Sequence, residues 1–275
     1  MKIATWNVNS IRARILNFID WIKEANPDVV LLQELKCTDA EFPYSEIDNL
    51  GYNIEVFGEK GRNGVAILSK FRLYDVVKGL SLYDIVDSDN ESRYLEVCID
   101  YKGFVIKLIS VYVPNGGPSA IEVRNGIDDI TKTGSFAKKM KFEDRLKKKL
   151  EESVKNNEIA FFCGDYNVCP NLYIDVYSPK KDGSITCTEQ ERQKFRELLS
   201  SGVADIWRNL NPELQEYTWW GYRPYTMFQK NQGYRLDAIL TTPKASELVK
   251  ECKIYRDVRG KEKASDHVPM MCEID

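Results

Sequence analysis

The side chains that could do chemistry stand where apolar runs end. Asn7 closes the run that starts at Lys2, and Glu34 follows Val29–Gln33. Asp165 and Asn167 follow Ile159–Cys163 in the segment Gly164-Asp165-Tyr166-Asn167, and Asp266-His267 immediately precede Val268–Glu273. Asp237 is a lone acid inside Arg235–Thr241, while Tyr112 and Asn115 sit where Val105–Val113 runs into Pro114-Asn115-Gly116-Gly117. Each has a plain structural reading. An Asn after a strand is commonly a turn former, a Glu there a solvated strand end, and Gly-Asp-x-Asn ordinary turn chemistry. An Asp in an apolar strand is more telling, because a buried carboxylate needs a partner. Taken together, several acids gathered at strand ends would repel one another unless a divalent cation neutralised them. Acids for a metal, a base for water and donors for developing phosphoryl charge make up the equipment of metal-assisted phosphodiester hydrolysis.

Composition narrows the chemistry further. The 275 residues include a single histidine, His267, so a zinc centre built on two or three imidazoles and an H-E-x-x-H helix are both excluded. There is no G-x-S-x-G elbow, no Walker A loop and no strand followed by G-x-G-x-x-G. What remains is carboxylates, amides and one imidazole, a set suited to a hard, oxygen-bound ion such as Mg²⁺ or Mn²⁺. The seven cysteines are scattered, odd in number and never spaced C-x-x-C, which suggests neither a disulfide framework nor a zinc site. The formal net charge is -3, so any polyanion must be met by local clusters rather than by the charge of the whole chain. No apolar run approaches the ~18–20 residues of a membrane span, and no signal peptide is visible. A cytoplasmic protein, most simply of a bacterial cytoplasm, is expected.

The elements that must position these residues alternate between strand-like and helix-like segments. Lys2–Trp6 reads as a strand, Ser10 as the N-cap of a helix with Ile11, Ile15, Phe18, Ile19 and Ile22 on one face, and Val29–Gln33 as a second strand. Pro27 ends the helix, and the resulting βαβ unit predicts two parallel strands. Further strands are expected at Val65–Ser69, Tyr94–Ile99, Val105–Val113, Ile159–Cys163, Arg235–Thr241 and Val268–Glu273. Helices are expected over Phe136–Lys155, with Phe142, Leu146, Leu150 and Val154 on one face, and from the capping box Thr188-x-x-Glu191 to about Ser200. Strands outnumbering long helices point to an α/β protein with partly antiparallel sheets. No linker or repeat divides it, so residues 1–275 are read as a single domain.

Five blocks in order carry a family resemblance: Trp6-Asn7-Val8-Asn9-Ser10-Ile11-Arg12-Ala13, Leu32-Gln33-Glu34-Leu35-Lys36, Gly164-Asp165-Tyr166-Asn167, Arg235-Leu236-Asp237 and Ser265-Asp266-His267. Shorter matches are Phe42-Pro43, Gly51-Tyr52-Asn53, Asn63–Ser69 and Tyr217-Thr218-Trp219-Trp220. The chain resembles the exonuclease III family of abasic-site endonucleases, within the wider endonuclease/exonuclease/phosphatase superfamily, along essentially its whole length. The resemblance implies a four-layer α/β/β/α sandwich of two mixed β-sheets flanked by helices. It implies Mg²⁺-dependent cleavage of duplex DNA 5′ to an abasic site, leaving a 3′-hydroxyl and a 5′-deoxyribose phosphate, with added 3′→5′ exonuclease or 3′-end-cleaning activity. The protein is expected to act as a monomer on DNA carrying abasic sites or blocked 3′ ends, in base excision repair.

Residue by residue, the resemblance implies metal ligation by Glu34 with Asn7 and Asp266, and by Asp165 and Asn167 at the same centre. Asp165 would activate or position the attacking water, Asn167 would orient it, and Asp237 would hold His267 in the tautomer that binds the scissile phosphate. Tyr112 would touch phosphate or leaving group, with Asn115 behind it and Lys36 as a cation beside the carboxylates. Trp219, Tyr234 and Leu236 would line a pocket for a base-less sugar turned out of the helix. Arg12 and Arg14, opening the first helix, are placed to meet phosphates, and Arg62 is expected to reach phosphate or the minor groove. Three positions depart from the pattern: Asn9 where some relatives have Asp, Arg62 where an aromatic or His is common, and Pro118 where some relatives insert an Arg. The segment Lys132–Lys155 holds nine basic and four acidic residues and is read as a solvated helix face, with an auxiliary DNA contact as the alternative. Rival functions are a non-catalytic nucleic-acid-binding regulator of the same fold, which should have lost catalytic residues, and a phosphatase or phosphodiesterase of the same superfamily.

Overall fold

In this computed structural model the described residues are 1–80, 91–117 and 134–275. The expectations at Pro118 and Lys132 fall outside them. Among the described residues the strands form two six-stranded mixed sheets. In the first, β1 (Lys2–Asn7), β2 (Val29–Gln33), β3 (Asn53–Phe57), β4 (Val65–Ser69), β11 (Val249–Ile254) and β12 (Met270–Ile274) run in the order β11-β12-β1-β2-β4-β3. In the second, β5 (Tyr74–Lys78), β6 (Tyr94–Tyr101), β7 (Phe104–Tyr112), β8 (Ile159–Asp165), β9 (Ala204–Asp205) and β10 (Asp237–Thr241) run β5-β6-β7-β8-β10-β9. Each sheet has one parallel pair at its centre, β1 with β2 and β7 with β8, and every other pairing is antiparallel. The expected parallel βαβ start is therefore present.

The sheets face each other through β1 and β2 against β7 and β8. Their fully buried strands read as continuous apolar runs for that reason. A polar link crosses the core: Gln33 Nε2 donates to Ser110 Oγ (2.9 Å), which donates to the Leu32 carbonyl (2.9 Å). Such a link fixes the register of one sheet on the other, because a buried amide left unpaired would be costly. Gly164 is obligatory in β8. A Cβ there would lie 1.8 Å from the Val111 carbonyl oxygen of β7, so the closeness of these two strands depends on its absence.

Helices close both outer faces. Helix α1 (Ile11–Ala25) buries Ile11, Phe18, Trp21 and Ile22 against the first sheet, and Ser10 caps it by accepting from the Ala13 amide at 3.4 Å. On the second sheet lie α3 (Gly134–Lys155) and α4 (Glu189–Leu199), whose Phe142, Leu146, Leu150, Phe195 and Leu198 pack over Phe162 and Leu240. The short helix α2 (Tyr44–Ile47) precedes β3, α5 (Ile206–Leu210) follows β9, and α6 (Pro243–Leu248) follows β10. This is the expected four-layer α/β/β/α arrangement. No helix among the described residues is long and apolar enough to cross a membrane.

Four strands lie outside the sequence expectations: the two-residue edge strand β9, too short to leave a pattern, and three others. β3, β5 and β11 are sheet edges or near-edges with polar, exposed residues, so neither apolar runs nor clean alternation marks them. The reading of the Lys132–Lys155 segment as a solvated face also needs correction. Lys147 pairs with Glu151 and Lys149 with Glu152 at the surface, but Lys139 and Glu143 are buried beneath the helix. The helix carries charge on both faces.

Candidate active site

The two central parallel pairs end on the same side, and their C-terminal ends carry the polar residues. Asn7 is the last residue of β1, and Glu34 follows β2. Tyr112 ends β7, Asp165 ends β8, and the two are register partners. Asp237 opens β10 directly opposite Asp165. Ligands in open α/β sheets gather at this end because the loops there leave a crevice. The backbone bends sharply to make it. Glu34 (φ 54), Lys36 (φ 54) and Asn167 (φ 49) all adopt left-handed conformations, uncommon for a residue such as Glu. Those turns aim the Glu34 and Asn167 side chains into the crevice wall rather than along the strand.

Hydrogen bonds tie the two sheets together at this point. Asn7 Nδ2 donates to Glu34 Oε1 (3.1 Å) and to Asp165 Oδ2 (2.9 Å), so one amide bridges acids of opposite sheets. Tyr112 donates its hydroxyl to Glu34 Oε1 at 2.7 Å, and Lys36 Nζ lies 2.8 Å from Glu34 Oε2. Burial alone would raise the Glu34 carboxyl, but Lys36, Tyr112 and Asn7 outweigh it and hold the group below its ordinary value. Asp165 accepts the Asn167 backbone amide (2.8 Å) and side-chain amide (3.3 Å), and Asn167 also donates to the Val113 carbonyl (2.9 Å).

His267 completes the group. Its segment is pinned to β1: Trp6 Nε1 donates to the His267 carbonyl (3.1 Å), and Ser265 Oγ to the Asn7 carbonyl (2.8 Å). The ring places Nδ1 2.8 Å from Asp237 Oδ2 and Nε2 3.6 Å from Asp165 Oδ2. Burial opposes a charged imidazole, yet the Asp237 and Asp165 carboxylates overcome it and raise His267 well above its usual range. Burial raises the Asp165 carboxyl in turn, against the pull of His267. The result is an imidazolium held between two acids with one ring N–H turned toward Asp165.

Asp165, Asp237 and His267 offer ligand atoms within 4.8 Å of one another. However, both ring nitrogens already face carboxylates, so His267 is engaged by the two acids rather than free to ligate an ion. The oxygen-rich set for a hard cation lies beside them. Glu34 and Asp266 both line one cavity, with Asn7 joining Glu34 to Asp165. Carboxylate and amide oxygens without thiolates fit Mg²⁺ or Mn²⁺. At the departing position Asn9, the amide keeps a bridging place: it donates to Asp266 Oδ1 (2.8 Å) and accepts from Lys36.

That cavity, about 490 Å³, joins the polar end to an aromatic wall. Its lining includes Tyr112, Asn115, Asn167, Trp219, Tyr234, Leu236 and His267. Trp219 and Tyr234 meet edge to face at 5.1 Å, and Trp219 Nε1 donates to Asp266 Oδ2 at 3.0 Å. The adjacent Trp220 points the other way, fully buried, as two neighbouring residues on an extended chain must. All three expected pocket residues therefore line one cavity.

Other expectations are met less directly. Arg12 is exposed near the cleft and lies 3.5 Å from Glu41, while Arg14 donates to Tyr222 at 2.9 Å. Arg62 is exposed but engaged by Glu59 and Glu91, so its charge is partly spent within the protein. Lys181, Ser184 and Thr186, also in the cavity lining, were not singled out by sequence. Their loop reads only as a Gly/Ser turn, although Pro179-Lys180-Lys181 was a local basic signal.

Residues 4–267 match the endonuclease/exonuclease/phosphatase family. The chain is 30% identical over 280 residues to exodeoxyribonuclease III of Haemophilus influenzae, spanning 99% of both proteins. It superposes on an AP endonuclease from Archaeoglobus fulgidus with a TM-score of 0.87 and 36% identity, covering 100% of this chain and 99% of that one. A Neisseria 3′ phosphatase bound to a product DNA hairpin gives a TM-score of 0.87 at 31% identity, over 100% of this chain and 99% of the other.

Proposed function

Because the chain belongs to the endonuclease/exonuclease/phosphatase family and is an exodeoxyribonuclease III-type phosphodiester hydrolase, we propose that it cleaves duplex DNA 5′ to an abasic site. The products are a 3′-hydroxyl and a 5′-deoxyribose phosphate, and the same site trims blocked 3′ ends. The observation that carries this reading is the shared cavity. Glu34, Asn167, Asp266 and His267 line the same space as Trp219, Tyr234 and Leu236, so phosphate chemistry and an apolar sugar pocket are contiguous. A flipped, base-less sugar could occupy the aromatic end while its 5′ phosphate lies against the polar end. The relatives named for AP endonuclease and 3′ phosphatase activity support both arms.

Glu34, with Asn7 and Asp266 and with Asp165 and Asn167 at its edge, would hold Mg²⁺. Bound there, the ion supplies positive charge to the phosphate oxygens. The remaining work falls to the chain's own groups. Asp165, raised by burial, takes the proton of the attacking water, which Asn167, bonded to Asp165, orients. His267, kept protonated by Asp237, donates Nε2–H to the phosphoryl oxygen on which charge develops. Tyr112 keeps Glu34 aimed and offers its hydroxyl at the leaving-group side. Lys36 and Asn115 hold the rim, and Arg12 and Arg62 meet flanking phosphates as exposed cations.

The test is a duplex carrying one central tetrahydrofuran abasic analogue, incubated with Mg²⁺ or with EDTA, beside an undamaged duplex and the His267→Ala variant. The expected result is a Mg²⁺-dependent nick immediately 5′ to the analogue, ending in a 3′-hydroxyl. No cleavage of this duplex by folded protein with either Mg²⁺ or Mn²⁺ would overturn the reading.

A further inference from the structure

Behind the site, on the outer side of the second sheet, lies a buried ion pair that the proposed chemistry does not use. Lys139 of α3 and Glu191 of α4 are both 0% exposed. Lys139 Nζ donates to Glu191 Oε1 at 2.6 Å and to the backbone carbonyl of Asn167 at 2.6 Å. Glu191 is fixed in its turn, because Oε2 accepts the Thr188 amide (3.0 Å) and hydroxyl (2.8 Å) in the capping box that starts α4. The pair also supports the turn that carries Asn115. A Cβ on Gly116 would lie 3.5 Å from both Lys139 Cδ and Glu191 Oε1.

A buried ammonium is costly to hold, and helix packing alone does not require one; an apolar side chain of similar volume would serve as well or better. What an apolar side chain could not do is bond the Asn167 carbonyl. That residue sits in the left-handed conformation, with its amide and side chain both donating to Asp165. Left without a donor, the carbonyl would be a buried acceptor at the strained turn. Resting on the functional reading above, we propose that Lys139 is a positioning residue for the hydrolysis. Through its bond to the Asn167 carbonyl, it clamps that turn from behind and so sets the aim of Asn167 and Asp165 at the attacking water.

The test separates the clamp from the fold. Lys139→Met alone strands the Glu191 charge, so the informative variant is Lys139→Met/Glu191→Gln. It removes both charges, and glutamine can still complete the capping box. Lys139→Leu/Glu191→Gln replaces it if the first does not fold. Glu191→Gln alone is the comparison, since it leaves the ammonium on the Asn167 carbonyl. With the abasic duplex and Mg²⁺, the double variant should lose about 10- to 100-fold in kcat, with KM within about threefold of wild type and Tm close to that of Glu191→Gln. Glu191→Gln should keep kcat within about threefold. A folded double variant with wild-type kcat overturns the proposal, as does equal loss in both variants. If the wild type leaves the duplex uncut, the functional reading fails by itself. The clamp is then decided by hydrogen exchange: the amides of Asp165–Val168 should exchange about tenfold faster in the double variant than in Glu191→Gln, and equal rates overturn it.

Discussion

His267 and Asp237 are bonded at 2.8 Å across the boundary between the two sheets. The imidazole rides on the segment leading into β12 of the first sheet, and the carboxylate opens β10 of the second. Neither sheet alone can form this pair, so under the proposed mechanism the packing of the two sheets is a condition of activity. The pair also defines a pH limit. Asp237 raises the imidazole, so a reaction that needs the protonated ring keeps its rate until pH climbs through the raised value and loses it above.

Asp237→Asn should therefore do two things. Activity on the abasic duplex should fall by about 10²- to 10⁴-fold at neutral pH, the range expected when one proton-donating group is impaired. The alkaline limb of kcat/KM should also move to lower pH, toward the ordinary imidazole range. A pH–rate profile of the variant with its alkaline limb unmoved would remove Asp237 as the cause of the histidine's charge.

Asp165→Asn keeps shape but not basicity. The side chain stays within reach of Asn7 and Asn167, so the fold should survive, while nicking should drop by about 10³-fold or more. Steady-state nicking and a melting curve on the same preparation decide the matter. A folded variant with near-wild-type turnover would mean that the water is activated elsewhere.

For the metal, EDTA should abolish nicking and excess Mg²⁺ restore it. Glu34→Gln should raise the Mg²⁺ concentration for half-maximal activity by about 10- to 100-fold, the scale seen when an anionic partner of a metal site is lost. Isothermal titration with Mn²⁺ gives a readout free of turnover. Unchanged affinity in the variant would place the ion away from Glu34.

Much of this site could be read from residue order, because each polar group closes or opens a strand and strand ends converge. The Asp-His pair, the Gly-Asp-x-Asn segment and the paired tryptophans all survive in the structure with the neighbours expected of them. Other features could not be read that way. The left-handed turns at Glu34 and Lys36 leave no compositional trace, since glycine is absent there, and the pairing of His267 with Asp237, which needs two sheets to meet, was given by the family resemblance and not by residue order. Lys139 and Glu143 were hidden for a different reason. They lie in a run of charges, and a charge run looks solvated whichever residues turn inward. Only the capping box at Thr188 marked Glu191, and it explained that residue as a helix start rather than as a partner for a buried lysine. Edge strands such as β5 and β11 escaped because their exposed sides erase the periodicity on which a strand is recognised.

Trp219 has two jobs that substitution can separate. It forms the aromatic wall with Tyr234 and bonds Asp266 through Nε1. Trp219→Phe should keep much of the wall and lose the bond, so its main effect should be on metal dependence. Trp219→Ala should lose both, costing about 10- to 100-fold in kcat/KM on the abasic duplex. A Trp219→Ala variant that loses no more abasic nicking than Trp219→Phe would remove the ring from the sugar pocket.

Glu143 makes the last prediction, on stability. It is 1% exposed, and among the described residues neither carboxyl oxygen has a hydrogen-bond partner. Burial pushes the group up to about 8, with Lys139 pulling the other way and Glu191 adding to the rise. In the unfolded chain the same carboxyl titrates near 4.5. Between those values the folded protein holds a proton that the unfolded chain has released, so stability falls as pH rises through this window and levels off above it. The loss can approach about 1.4 kcal/mol per pH unit within the window. Glu143→Gln mimics the protonated form at every pH, so it should be increasingly stabilised relative to wild type from pH 5 to pH 8, with a constant difference above that. Calorimetric melting of both proteins from pH 5 to pH 9 measures it directly. Parallel curves would show that Glu143 is ionised in the fold, with a charge partner that neutralises it.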